Sequence, residues 1–191
     1  MNAFERMKAG EWADVSTPEI VEPNNRATRL CRAFNATGTD EPERWRAALR
    51  DLLPNAHETA VVKPPFICDF GTEIHLGEKV FVNYGCTFLD GADIRIGART
   101  LIGPGCHLYT ANHPVAALER RKPIDRYSPV IIGEDCWLGG NCPVIPGVTI
   151  GNRVVVAAGS VVTDDVPDDV LVAGNPATIK RHLQNDSRAE S

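Results

Sequence analysis

The segment LYTANHPV at positions 108–115 contains one side chain suited to catalysis, that of His113. An imidazole titrates near neutral pH, so it can accept a proton, donate one or bind a metal ion. The chain from there to Ile132 is polar, contains prolines and interrupts an otherwise regular pattern. Because a long excursion from a regular fold more often carries function than not, we predict a functional loop at 109–130 with His113 at its start.

The six cysteines are a second set of reactive side chains, but their spacing does not favour chemistry. No two of them are separated by two residues, the spacing typical of metal-binding and redox-active pairs. The N-terminal segment mixes charges with single apolar residues, unlike a signal peptide, so we expect the reducing cytoplasm, where thiols stay free. We predict small buried side chains without a metal at Cys31, Cys68, Cys86, Cys106, Cys136 and Cys142.

Aliphatic residues recur at every sixth position over much of the chain. One series runs through Ile132, Leu138, Val144, Ile150, Val156 and Val162. Small or β-branched residues stand four positions after each of these: Cys136, Cys142, Val148, Val154, Ser160 and Val166. A block that begins at Phe70 repeats the pattern. A period of six matches neither an amphipathic helix nor a simple strand alternation, and it indicates a repeat architecture.

The hexapeptide period is typical of a left-handed parallel β-helix with triangular coils, in which two residues of each hexad point inward. Six glycines directly follow an aliphatic position, and we attribute them to corners that require positive φ: Gly77, Gly97, Gly103, Gly133, Gly139 and Gly151. The segment 1–60 carries helical apolar stripes such as Trp45, Leu49 and Leu52. We predict a mainly β protein: an N-terminal α-helical cap at 1–60, joined in one structural unit to a β-helix at 61–191 with the extruded loop and a closing C-terminal segment.

The overall composition is that of an ordinary folded protein, with 43% hydrophobic and 24% charged residues. The formal net charge of −5 and the lack of a Lys/Arg block argue against nucleic-acid binding. No run approaches the roughly 18 apolar residues of a membrane-spanning helix. We therefore expect neither a nucleic-acid nor a membrane partner.

Four segments together carry a family resemblance. They are MKAGEWAD near the N-terminus, YTANHPV in the loop, and IGEDCWLGGNCPVIPGVTIG and IGNRVVVAAGSVVTDDVPDDVLVAGNPA in the repeats. They resemble the maltose and galactoside O-acetyltransferases of the hexapeptide superfamily, and the resemblance extends from Met7 to Arg181. It implies transfer of acetyl from acetyl-CoA to a sugar hydroxyl, without a metal, by a homotrimer whose active sites lie between neighbouring subunits.

The resemblance assigns His113 as the general base that accepts the proton of the sugar hydroxyl, a role typically worth about 10²- to 10⁴-fold in rate. Asp125, in the same loop, is a candidate for holding the opposite ring nitrogen. The backbone N–H of Gly140 is the implied donor to the oxyanion. The acceptor sugar is expected to contact Asp14, Asp69, Asn83, Asp90 and Trp137.

The resemblance also implies a coenzyme A site along the solenoid, formed by Asn83, Gly140, Ala158, Thr163, Lys180 and Arg181. Asp164 stands where the family usually has a lysine, and Thr178 stands where it usually has an arginine. Since an acid beside a phosphate is unfavourable, we predict weaker acetyl-CoA binding than in typical members. Gly91 stands where the galactoside branch has a second acid, so we expect a maltose- or glucose-like acceptor.

Two other functions are also compatible with the sequence. Three histidines, His75, His107 and His113, could converge on zinc at a subunit interface, as in the γ-class carbonic anhydrases of the same fold. The local sequence around them does not resemble that family. Alternatively, the β-helix could be a non-catalytic trimeric scaffold, although a scaffold has no need of the histidine-bearing loop or of Asn83 and Asp69.

Overall fold

Residues 61–174, apart from the loop at 109–130, wind into a left-handed parallel β-helix with three flat faces, as the six-residue period predicts. The computed structural model describes residues 1–38 and 40–184, so Thr39 and the end of the predicted closing segment, 185–191, lie outside it. The chain passes through face 1, face 2 and face 3 in turn. Successive coils therefore stack corresponding strands and corresponding corners above one another.

The N-terminal segment forms three helices and a short strand: α1 (Ala3–Lys8), β1 (Ala13–Asp14), α2 (Pro18–Asn35) and α3 (Pro42–Leu52). Helices α2 and α3 cover the first coil and act as its cap. The side chains of Trp45, Leu49 and Leu52 are buried in the main core. The Asn35 side-chain amide accepts the backbone N–H of Phe66 at 2.8 Å and donates to its C=O at 2.9 Å. These two bonds pair backbone groups that would otherwise be open at the edge of that coil.

The three faces are sheets of short strands. Face 1 contains β4 (Ile74–Leu76), β7 (Ile94–Ile96), β12 (Val130–Ile132) and β15 (Thr149–Ile150). Face 2 contains β2 (Val61–Val62), β5 (Phe81–Val82), β8 (Leu101–Ile102), β13 (Trp137–Leu138), β16 (Val155–Val156), β17 (Val170–Gly174) and the antiparallel β18 (Ala177–His182). Face 3 contains β3 (Phe66–Cys68), β6 (Cys86–Leu89), β9 (His107–Tyr109) and β14 (Pro143–Val144).

The inward positions of the repeat form one continuous core. Every residue of the two six-step series between Ile132 and Val166 is at most 7% exposed. All six cysteines fall within the described ranges and are buried free thiols. The predicted inward pattern is therefore confirmed, because aliphatic and thiol side chains stack from coil to coil and exclude water.

The corner glycines have a different role from the predicted one. None of the six that follow an aliphatic position has positive φ; such angles occur at other corner residues, including Lys79 (φ 56°) and Arg99 (φ 61°). A Cβ placed on Gly139 would lie 2.5 Å from the backbone nitrogen of Ala158, one coil away. The prediction of positive φ was wrong: these positions lack a side chain because adjacent coils approach too closely to admit one.

Substituting Gly139→Ala is expected to lower the midpoint of thermal unfolding, because the nearest atoms are backbone that cannot rotate away. Overpacking of this kind costs about 1–3 kcal/mol. Gly140→Ala is the matched control, since its nearest atom, the Pro104 carbonyl oxygen, would be 3.1 Å away. Calorimetry at one protein concentration measures both variants. A midpoint for Gly139→Ala at or above that of Gly140→Ala would contradict the close-packing explanation.

The predicted loop at 109–130 leaves the solenoid at a corner between face 3 and face 1. It is not irregular, since it contains β10 (Ala111–Asn112), α4 (Ala117–Arg120) and β11 (Ile124–Tyr127). Strand β11 is the centre of a three-stranded antiparallel sheet, with β10 on one side and β1 on the other. The N-terminal segment thus contacts the loop as well as the first coil.

Candidate active site

His113 follows β10, and one carboxylate holds its ring. Its Nδ1 lies 2.5 Å from Oδ1 of Asp125, and the two side chains are 65% and 14% exposed. Because an ionised carboxylate can only accept, Nδ1 carries the hydrogen and the opposite nitrogen, Nε2, keeps its lone pair in the neutral ring. The structure therefore places Asp125 where it orients His113, with Nε2 as the atom that can take a proton from a ligand.

The position of Asp125 depends on the three-stranded sheet. Asp125 pairs with Ala13 of β1, and the next residue, Arg126, pairs with Asn112 of β10. His113 directly follows Asn112, continues this register and comes opposite Asp125. Backbone pairing on both sides thus fixes the strand that carries the carboxylate, and one of the two partners comes from the N-terminal segment.

Asp90 was expected to contact the acceptor, and the structure contradicts this. The residue is 0% exposed, and its carboxylate accepts the backbone N–H groups of Asp69, Phe70 and Glu73 at 3.0, 2.9 and 3.3 Å. Burial raises the pKa of Asp90 to about 7, against the effect of these bonds. Asp90 therefore shapes the corner that carries Asp69 and has no surface to offer a ligand.

The structure brings Asp69 within electrostatic range of Asp125, whereas it directs Asp14 to the other side of the sheet. Asp69 is half-buried, and burial, then the charge of Asp125, raises its pKa. Asp14 is exposed, and its Oδ1 accepts the hydroxyl and the backbone N–H of Ser16, which lower its pKa. Side chains alternate along a strand, so Asp14 lies on the opposite side of β1 from Ala13, the partner of Asp125.

An open groove runs along the corner between face 2 and face 3. Four of the predicted residues line it: Asn83, Trp137, Gly140 and Ala158. They lie on strands of face 2 or directly after them, so the stacking of coils brings them together. Most of the remaining wall is apolar, including Leu171. Such a groove, with apolar walls and exposed backbone, can hold an extended chain.

Three residues predicted to bind the cofactor are not in the lining of this groove. Thr163 lies between face 3 and face 1, and its hydroxyl donates to Asp164 at 2.7 Å. Arg181 of β18 pairs with Leu171, which does line the groove, so it lies at the groove's edge. The Lys180 ammonium donates to the hydroxyl of Thr178 at 2.8 Å. These polar residues surround the end of the solenoid and leave the groove itself apolar.

Sequence reasoning missed Tyr127, which walls the site beside Asp125. Its ring is 6% exposed, and a Cβ on Gly91 would lie 2.5–2.6 Å from three of its ring atoms. The ring therefore occupies the space of any side chain at position 91. Burial raises the pKa of the Tyr127 hydroxyl, and the charges of nearby aspartates add to this. The only signal in the sequence was an aromatic residue two positions after Asp125.

The three histidines considered for zinc lie in different surroundings. His75 is on face 1, where its Nε2 is 4.0 Å from Asp93. His107 is on face 3, stacked on Tyr109 with ring centroids 5.8 Å apart. Across the described ranges 1–38 and 40–184, no three or more His, Cys, Asp or Glu side chains are grouped to hold a metal ion. Within one chain, therefore, the three histidines do not form a common site.

Two family models match the chain: a maltose acetyltransferase hexapeptide capping motif over residues 6–57 and a hexapeptide repeat of succinyl-transferase over 129–164. Nodulation protein L of Rhizobium meliloti is 41% identical over 92% of this chain and 96% of its own. A maltose O-acetyltransferase from Clostridium difficile superposes with a TM-score of 0.93 at 38% identity, over 96% of this chain and 98% of its own. A galactoside acetyltransferase in complex with coenzyme A has a TM-score of 0.92 at 32% identity, over 96% and 92%. Since this similarity spans nearly the whole length, the chain belongs to the maltose and galactoside acetyltransferases of the hexapeptide-repeat family, which use acetyl-CoA.

Proposed function

We propose that this acetyltransferase moves the acetyl group of acetyl-CoA to a hydroxyl of a maltose- or glucose-like sugar, with His113 as the general base. The observation that carries the proposal is the 2.5 Å contact of Asp125 with Nδ1 of an imidazole that is 65% exposed. That contact leaves Nε2 as the basic atom, on the side of the ring away from the half-buried carboxylate. A general base must reach the proton it removes, and an exposed ring at the start of a loop can do so.

The reaction follows from these groups. Nε2 of His113 takes the hydroxyl proton while the sugar oxygen bonds to the thioester carbonyl carbon. The tetrahedral oxyanion accepts a hydrogen bond from the backbone N–H of Gly140. Asp125 stabilises the imidazolium formed in this step through its bond to Nδ1. The carbon–sulfur bond then breaks, the imidazolium returns its proton to the departing coenzyme A thiolate, and the acetyl ester leaves with the sugar.

The proposed assembly is a homotrimer with active sites between subunits. Within one chain, the groove and His113 lie at opposite edges of face 3, roughly 15–20 Å apart at about 3.3 Å per residue. The outward residues of face 2 also form an apolar stripe in register: Val61, Phe81, Leu101, Trp137, Val155 and Leu171. Leu101 and Trp137 are 47% and 55% exposed. A neighbouring copy on this stripe would remove it from water and carry its own loop to the groove.

The proposed acceptor contacts are Asp69 and Asn83, with Trp137 as an apolar wall. The charge of Asp125 acts on Asp69, which would come from the copy that supplies His113, whereas Asn83 would come from the neighbouring copy, whose groove would hold the thioester. Hydroxyl-rich acceptors need such carboxylate and amide groups to fix their orientation. Gly91 supplies no second acid of the kind expected in the galactoside branch, and Tyr127 occupies the space beside it, so the proposed acceptor is maltose- or glucose-like.

The compartment and the partners are also proposed. Six free thiols are compatible with the reducing cytoplasm, where we expect the protein to act on a small hydroxyl compound. In the part of the chain that the structure describes, no helix combines the length and apolarity needed to cross a bilayer.

The proposal is tested by incubating the full chain with acetyl-CoA and a panel of sugars while released thiol is measured. We expect release that depends on the added sugar and is matched by an acetylated sugar in the mass spectrum. Thiol release that is independent of every sugar, or its absence over the whole panel, would overturn the proposed function.

Asp164→Lys is expected to lower KM for acetyl-CoA about three- to tenfold. It replaces a negative charge by the lysine that the family usually carries, and a lysine attracts the phosphates of coenzyme A. The change also releases the Thr163 hydroxyl, which now donates to Asp164. Asp164→Asn, which only removes the charge, should give an intermediate KM. Initial rates at low and high ionic strength measure both variants, and the gain should shrink as salt rises. Equal KM values for the wild type and Asp164→Lys would show that Asp164 lies away from the phosphates.

A further inference from the structure

Three buried thiols lie in the core behind the corner that carries the groove. Each sulfur atom approaches the carbonyl oxygen of a residue that lines the groove: Cys86 lies 3.3 Å from the oxygen of Gly103, Cys106 lies 3.0 Å from that of Gly139, and Cys142 lies 3.3 Å from that of Ala157. The contact repeats from coil to coil because the three cysteines hold the same place in successive coils. The three carbonyl groups therefore point from the wall of the groove into the core.

The contact of Cys106 involves the peptide bond between Gly139 and Gly140. The neighbouring Cys142 thiol, and then burial, raise the pKa of Cys106, so its sulfur keeps the hydrogen that it donates at neutral pH. The described residues contain two cis peptide bonds, both before prolines elsewhere in the chain, so the Gly139–Gly140 bond is trans. The C=O and N–H groups of a trans peptide point in opposite directions. With the Gly139 carbonyl held in the core, the Gly140 N–H points out toward the groove.

Few other contacts fix this peptide. The backbone on each side is paired with the next coil, since the Gly139 N–H donates to Val156 and the Gly140 carbonyl accepts from Gly159, each at 2.8 Å. Within residues 1–38 and 40–184, however, no backbone N–H donates to the Gly139 oxygen, and the Gly140 N–H has no acceptor. Two consecutive glycines also lack the Cβ atoms that restrict rotation of the peptide plane between them. The Cys106 thiol is therefore the group that holds the orientation of this peptide.

The Gly140 N–H is the proposed donor to the oxyanion, so its direction matters for the chemistry. Such a donor lowers the barrier when it is already aimed at the place where the charge develops. Resting on the proposed acetyl transfer, we propose that Cys106 is a positioning residue, whose buried thiol holds the Gly139–Gly140 peptide with its N–H directed toward the thioester oxygen. Cys106 touches neither substrate and acts through this backbone group.

Cys106→Ala and Cys106→Val test the proposal together. Both remove the donor, one with a smaller and one with a larger side chain, so a loss that they share comes from the hydrogen bond and not from packing. We expect kcat for acetyl transfer to fall about three- to tenfold in each, part of the 10²- to 10³-fold typical for loss of an oxyanion donor. KM for acetyl-CoA, and its Kd from titration calorimetry, should stay within about twofold of wild type. Cys106→Ser, whose hydroxyl can donate, should recover most of the rate.

Cys86→Ala is the matched control. It removes the same kind of bond one coil away, but the residue after Gly103 is Pro104, which has no N–H to orient. It should keep the wild-type kcat. Gly140→Pro removes the N–H itself, and Pro104 occupies the equivalent position in the neighbouring coil, so the corner can accommodate a proline. Gly140→Pro should lower kcat more than Cys106→Val does, and adding Cys106→Val to it should cost less than about twofold further.

A second measurement does not depend on turnover. The ¹⁵N resonance of Gly140 in the full chain without ligands responds to the hydrogen bond on the preceding carbonyl. It should move in Cys106→Ala and Cys106→Val and return toward the wild-type position in Cys106→Ser, whereas Cys86→Ala should leave it in place.

Three results would overturn the positioning role and leave the proposed function standing: a wild-type kcat in both Cys106→Ala and Cys106→Val, an equal loss in Cys86→Ala, or an unmoved Gly140 resonance. Losses of Cys106→Val and Gly140→Pro that multiply in the double variant would do the same, since Cys106 would then act through another group. A wild type without sugar-dependent thiol release overturns the proposed function, and the positioning role with it.

Discussion

His113→Ala is expected to lower kcat for acetyl transfer about 10²- to 10⁴-fold, the range typical for removal of a general base. The folded structure should survive, because the side chain is 65% exposed and Asp125 is its one polar partner among the described residues. KM for acetyl-CoA should change little, since His113 is proposed to act on the sugar hydroxyl and the lining of the groove is unchanged by the substitution. Thiol release and the thermal unfolding midpoint, measured on the same preparation, separate a loss of chemistry from a loss of fold.

His75→Ala is the control for this experiment, because the two open functions predict different results for it. A three-histidine zinc site needs His75 as much as His113, whereas the proposed transferase does not use it. We expect His75→Ala to retain the wild-type rate and the purified protein to act without stoichiometric zinc. Equal losses in both variants, together with bound zinc, would favour the metal enzyme. Full activity of His113→Ala would remove the catalytic assignment altogether.

Asp125→Asn is expected to lower kcat about 10- to 100-fold with little change in either KM. A hydrogen bond to a charged group contributes about 1.5–3 kcal/mol, and this one stabilises the imidazolium that forms as the hydroxyl loses its proton. The amide can still accept the Nδ1 hydrogen but supplies no negative charge. Steady-state kinetics with both substrates varied measure kcat and each KM separately.

Asp125→Glu provides the test of positioning, because it restores the charge with a longer side chain. It should recover part of the activity that Asp125→Asn loses. If the variants change KM and leave kcat intact, Asp125 binds a substrate and does not act through His113. If Asp125→Asn and Asp125→Glu fall equally in kcat and in unfolding midpoint, the residue is needed only to hold β11 in place.

The architecture could be predicted because its rule is local. Each hexad places an aliphatic residue and a small residue inward. The burial of Val156 and Cys142 therefore follows from their positions in the six-residue repeat alone. The histidine-bearing loop was visible as the interruption of that six-residue repeat. The corner glycines were recognised but explained wrongly, since the distance between Gly139 and Ala158 depends on how coils stack and not on the residues beside each glycine.

The site could be predicted only in part, because its residues come from distant segments. Asn83, Trp137, Gly140 and Ala158 meet in the groove because they lie on strands of face 2 or directly after them, and the coils stack these strands. Asp90 carries a residue type that suits sugar binding, but backbone N–H groups occupy its carboxylate and leave it buried. A motif identifies the residue type, whereas the direction of the side chain depends on the surrounding backbone.

The amino-acid sequence by itself determined the coil, its inward residues and the point where the loop leaves it. The reason is that a residue's position within the six-residue repeat decides whether its side chain is buried. Tertiary structure alone decided that a strand from residues 13–14 pairs with a strand from 124–127, and that this sheet holds Asp125 against His113. It also decided that Tyr127 fills the space beside Gly91. These contacts join segments far apart in sequence, and no local pattern encodes them because each forms only once the solenoid has set the distance between its partners.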